Sequence, residues 1–158
     1  MTQVEAPDSH RLVQLRFKPL WLYVDTVREF CGFFAKATFD DDAIGERVAV
    51  VVHELVENAI RYGNDKELEL RIERGVTEVL VRVANTTSDE QAENLKRTFA
   101  ELHRVSAAEA YVQALKRAAT LPETQSGLGL ARIRHEGRVN LDLSITPGRV
   151  CITARGVP

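Results

Sequence analysis

Two cysteines, one methionine, one tryptophan and five prolines in 158 residues narrow the possibilities at once. Cys31 and Cys151 are far apart and lie in apolar runs, where single cysteines serve as small core residues more often than as a bridge or metal pair. No disulfide framework or cysteine-rich zinc module is expected. Aromatics make up only 6% of the chain. No hydrophobic run approaches the length of a membrane span, and residues 1–10 are polar where a leader would be apolar. A reducing cytoplasm is the expected location. Net charge is −2, so there is no general basic surface for nucleic acid or anionic lipid. What is present is an ordinary globular balance, 44% hydrophobic and 28% charged, on a chain long enough to bury a core.

Patterning along the chain gives the elements. Residues 1–10 read as a flexible tail and 11–158 as a single domain. Val13, Leu15 and Phe17 alternate as a strand. Pro19 opens a helix expected to run to about Ala37. Asp40–Asp42 break it and cap a second helix from about Ala43 to Tyr62, whose apolar residues recur at three and four. Gly63 ends that helix. Residues 66–73 and Val79–Val83 alternate around Gly75 as a hairpin. Capping boxes at Ser88–Gln91 and Ser106–Glu109 open two helices, a helical insert over about 88–120. A compact helix follows over roughly 127–136. Val139–Ile145 and Val150–Ala154 form two last strands around Pro147-Gly148. Each strand has one apolar face, so the expected fold is a two-layer α/β sandwich. Its sheet would be mixed and mostly antiparallel, about five strands, with helices on one face. Phe17 and Trp21 read as core or edge packing, with an interface anchor as the alternative.

The chemistry centres on Glu54 and Asn58, one helical turn apart on a flank bordering the apolar stripe. A carboxylate there can accept a proton, and a carboxamide oxygen suits Mg²⁺, which takes oxygen ligands and keeps its waters. The spacing alone is a weak signal. Ser126-Gly127-Leu128-Gly129-Leu130 leads into a helix, where free N–H groups and the dipole make an anion site. The alternative at that turn is glycine making room for close packing. His53 reads as a half-exposed helix histidine rather than a phosphoacceptor.

Together, His53-Glu54-Leu55-Val56-Glu57-Asn58-Ala59-Ile60-Arg61-Tyr62-Gly63 and Ser126-Gly127-Leu128-Gly129-Leu130 resemble the N-box and G2-box of the GHKL (histidine kinase-like) ATPases, such as gyrase, Hsp90, histidine kinases and MutL. The resemblance covers about residues 43–145. It is strongest to the single-domain bacterial serine kinases and anti-sigma factors of partner-switching pathways. It implies Glu54 as general base and Asn58 as Mg²⁺ ligand. ATP would be held by Tyr62, Asn85, Ser126, Gly127, Leu128 and Gly129, with Arg132 or Arg134 as a cationic contact. The implied partner is a STAS-type protein carrying a serine or threonine acceptor, and a homodimer is one option for the assembly.

The sequence departs from that family at the G1 box. Where Asp-x-Gly-x-Gly is expected, it has Asn85-Thr86-Thr87-Ser88. Asn85 can accept the adenine amino group without a charge. The first G2 glycine is Gln125. A SiaB-like subgroup of single-domain kinases shares these departures and a helical middle. The alternative function is a catalytically inactive GHKL-fold module that only binds its partner.

Overall fold

A computed structural model describes residues 10–64, 66–122 and 127–156. Residues 1–9 of the expected N-terminal tail and Ser126 lie outside the described residues, while His10 already belongs to the first strand. Five strands form one sheet in the order β1-β2-β3-β5-β4. They are β1 His10–Phe17, β2 Leu68–Arg74, β3 Val79–Thr86, β4 Val139–Thr146 and β5 Arg149–Gly156. Every pairing among them is antiparallel. The β4–β5 hairpin turns at Pro147-Gly148 and lays β5, not β4, against β3 (Val83 opposite Ile152), so no parallel neighbour arises. Gly148 takes the left-handed conformation this turn needs, at φ 73°.

The two sheet faces differ as the alternation dictates. Leu68, Leu70 and Ile72 are fully buried beneath helices. Glu69, Arg71 and Glu73, between them, lie on the other face. There Glu69 accepts from Arg16 of β1 at 2.8 Å and pairs with Arg71 at 2.6 Å, while Arg82 pairs with Glu73 at 3.0 Å. That face is closed by crossed arginines and glutamates instead of a helical layer.

The helices are α1 Val24–Phe39, α2 Asp42–Tyr62, α3 Asp89–Leu102, α4 Ala107–Ala118 and α5 Leu128–His135. None is long and apolar enough to cross a membrane. α1 begins later than Pro19 suggests, because Trp21–Tyr23 form a 3-10 turn first. Trp21 is 53% exposed, with the Arg61 guanidinium 5.6 Å from its ring centre, so it is not core. Phe17 is half-buried, edge-on to Tyr23. Cys31 faces the core from α1, and burial pushes its thiol up to about 12. Cys151 is half-buried, opposite Ala84 on the charged face.

α2 is the organising element. Asp41 caps it, accepting from the Ala43 and Ile44 amides at 2.8 and 3.3 Å. Its inner stripe, including Val48, Val52, Leu55 and Val56, is buried. Its other side meets α1 at a close crossing. A Cβ on Gly45 would stand 2.8 Å from the Gly32 carbonyl, so both glycines let the backbones touch. α5 packs between α2 and α4. The expected second box at Ser106 is complete, with Ser106 and Glu109 each bonding the other's backbone. At Ser88 the serine half is present, accepting from the Gln91 amide at 3.2 Å.

Candidate functional site

The site lies along the flank of α2, where α5 and the end of β3 reach it. Helical spacing places Glu54, Asn58 and Tyr62 in successive turns. Glu54 is buried, and its Oε1 accepts from Arg132 Nη1 of α5 at 2.8 Å. A Cβ added to Gly129 would stand 2.5 Å from Glu54 Oε2. Glycine at 129 thus makes room for the carboxylate of Glu54 and not for the sheet. Two residues earlier, Gly127 adopts φ 65° as the residue before α5, a conformation that side chains rarely take. Thr98 of α3 stands over it, 3.6 Å from where a Cβ would be.

Arg132 is caught between groups. Burial alone would lower its pKa. The hydrogen bond and charge of Glu54, then the neighbouring Tyr111, outweigh burial and hold the guanidinium above its ordinary value. Tyr111 belongs to α4, and its hydroxyl also donates to Glu136 at 3.0 Å. Arg134 points elsewhere, donating to the Leu102 and Val105 carbonyls at the α3–α4 junction. Of the two arginines suggested by sequence, only Arg132 reaches Glu54.

Asn58 contrasts with Glu54. It is half-buried, and among the described residues its carboxamide has no hydrogen-bond partner. No group of three His, Cys, Asp or Glu residues among those described could hold a metal.

At the C-terminal end of α2, residues 85–87 are tied to the helix. Asn85 is buried and its Nδ2 donates to the Thr86 carbonyl at 3.1 Å. Thr87 Oγ1 donates to the Tyr62 carbonyl at 2.8 Å, and the Asn64 amide donates to the Thr86 carbonyl at 3.2 Å. The Thr86 hydroxyl bonds the Asn64 side chain. Gly63 ends α2 with an ordinary negative φ of −81°, so no left-handed cap is formed there. Its need is for space, since a Cβ would meet the Ala59 carbonyl at 2.4 Å and Asn85 Nδ2 at 3.0 Å.

Glu54, Gly129 and Arg132 are thus brought into contact, with Gly127 and Leu128 in the same turn. Asn58 and Tyr62 follow on the helix, and Asn85 is at its end. Thr87, Tyr111 and Gly63's crowding were missed from sequence. Nothing in spacing flags a threonine or tyrosine whose role is set by an element far along the chain. His53 is a half-buried helix histidine, its Nε2 3.5 Å from Glu57 Oε1 on the same helix.

The model of the family "Histidine kinase-, DNA gyrase B-, and HSP90-like ATPase" matches residues 43–154. One chain of the crystal structure of the SiaB-SiaC complex from Pseudomonas aeruginosa is similar in fold. Its TM-score is 0.70 at 16% identity, covering 94% of this chain and 91% of that one. No curated protein matches the chain.

Proposed function

Because the chain belongs to the family of histidine kinase-, DNA gyrase B- and HSP90-like ATPases, we propose that it is a cytoplasmic, ATP·Mg²⁺-binding regulator of the partner-switching type. It acts on a STAS-type protein, by phosphorylating a serine or threonine or by sequestering the partner. The observation that carries this reading is the contact of Glu54 with Gly129 at the start of α5, one turn from an uncommitted Asn58. That arrangement sets a carboxylate, a carboxamide and a helix N-terminus along one flank of α2. Likeness in fold to a chain from a two-protein complex supports a protein partner.

The residues fit the cofactor. A free amide oxygen on Asn58, with no carboxylate cluster around it, suits Mg²⁺ that arrives with phosphates and waters. The metal would supply charge neutralisation at the transferring phosphoryl group. Gly127, Leu128 and Gly129 present the α5 N-terminus to the phosphates. With Nδ2 given to Thr86, the Asn85 Oδ1 is the atom left to accept from the adenine amino group. Glu54 is the candidate base for the acceptor hydroxyl.

A second reading, a module that binds its partner without turnover, is favoured by the Arg132 guanidinium sitting on Glu54. Thermal-shift and calorimetric titration with ATP, ADP and GTP, with and without Mg²⁺, test the first. Stabilisation specific to adenine nucleotide and dependent on Mg²⁺ is expected. Asn58→Ala should abolish the Mg²⁺ dependence. A wild type that binds no adenine nucleotide sinks the proposal. Phosphate transfer to a partner then separates the two readings.

A further inference from the structure

An ion pair on a candidate base is a poor resting arrangement for catalysis unless something removes it. Arg132 Nη1 holds Glu54 Oε1 at 2.8 Å, and Gly129 leaves no room behind the other oxygen. The guanidinium is 38% exposed on its side chain and lies on α5 three residues past Gly129, so it is open to an arriving anion. The Tyr111 hydroxyl on α4 lies near enough to help hold the guanidinium protonated. Tyr111 is itself fixed, stacked on His135 with ring centres 5.1 Å apart and bonded to Glu136. His135 and Glu136 are the last turn of the helix that carries Arg132. The hydroxyl donates to Glu136, which leaves its lone pairs to accept from arginine.

We infer that Tyr111 is a positioning residue, which holds Arg132 as a latch on Glu54 until a phosphate-bearing ligand takes the guanidinium and frees the carboxylate. Two anions compete for one cation. Glu54 wins while the site holds no phosphate. A di- or triphosphate at Gly127–Gly129 offers more charge and a fork that matches guanidinium. The α4 helix thereby sets the state of a carboxylate on α2 that it does not touch, through one phenol. This deepens the nucleotide reading of the same site and rests on it.

Side-chain nitrogen–proton NMR of the full chain tests the latch, because a guanidinium held at both ends rotates slowly about its terminal bonds. In the free protein Arg132 should give resolved, slowly rotating signals that vanish in Glu54→Gln. Tyr111→Phe keeps the ring on His135 and removes only the hydroxyl. It should speed the rotation severalfold while the melting temperature stays close to wild type. Saturating ATP·Mg²⁺ and pyrophosphate should both move the Arg132 signals, and adenosine should not. Unchanged rotation in Tyr111→Phe overturns the positioning role. Unmoved Arg132 signals with ATP shown bound by calorimetry overturn the latch. If ATP fails to bind but pyrophosphate still moves Arg132, the nucleotide reading falls and the latch survives. If neither ligand moves it, both fall.

Discussion

Two stretches along the flank of α2 are held by different physics. At the C-terminal end, residues 86 and 87 are joined to Asn64 and Tyr62 by neutral hydrogen bonds, with the part-buried Asn85 side chain bonded to Thr86 beside them. In the middle of the helix, Glu54 is held by one charged partner and by the absence of a side chain at 129. Neutral bonds between buried groups are directional and indifferent to salt. An ion pair reaching solvent is weakened by salt and can be exchanged for another anion. Under the proposed function, the end assigned to adenine is held by neutral bonds without a glycine-rich G1 turn, and exchange of partners is confined to the end assigned to phosphate.

The largest effect should come from violating the space behind Glu54. Gly129→Ala places a Cβ within 2.5 Å of Glu54 Oε2. The carboxylate can retreat only by disturbing the bond that ties its other oxygen to Arg132. Overpacking of this kind costs about 1–3 kcal/mol. Urea unfolding should show that loss, and Mg²⁺-dependent nucleotide binding should fall with it. Wild-type stability in this variant would mean the pair is loose and the middle of the flank is not held at all.

Thr87→Val comes next. It keeps the shape and deletes the hydroxyl that satisfies the Tyr62 carbonyl. Losing a neutral, part-buried hydrogen bond costs roughly 1 kcal/mol. That cost should be the same at roughly 0.05 and 0.5 M salt, whereas the coupling between Glu54→Gln and Arg132→Met in a double-mutant cycle should shrink over the same range. Equal salt response at both ends would erase the contrast.

How much of this was legible follows from the range of each interaction. Asp41, Ser106 and the hairpin strands are local devices, so their residues announce themselves within a few positions. The α2 stripe showed which flank Glu54 and Asn58 share, because a single helix sets that angle. The Glu54–Gly129 contact spans distant parts of the chain, and only the family resemblance suggested it. The reason for Gly129 was still hidden: the glycine serves a carboxylate on another helix. Gly32 and Gly45 gave no signal for the same reason, since each is explained only by the backbone opposite. The antiparallel sheet order was hidden too, because alternation marks a strand's faces and not its neighbours.

The charged face of the sheet supplies the smallest and most discriminating case. Burial alone would raise the pKa of Glu69. The charge of Arg71, then the bond and charge of Arg16, and then Arg149 outweigh it, so the folded carboxyl lies below its ordinary 4.5. A depressed acid adds stability above its unfolded value and loses it as pH falls through the folded value. Glu69→Gln should therefore cost about 1 kcal/mol near neutral pH, a modest figure because the arginines are partly solvated. The two proteins should converge as pH drops well below 4.5. The same titration leaves the Thr87–Tyr62 bond untouched, since neither group carries a charge. Thr87→Val should keep its deficit relative to wild type at pH values where the Glu69 deficit has gone. If both deficits faded together in acid, the sheet face and the helix end would be melting as one unit, and the division between ionic and neutral closure would have no consequence for stability.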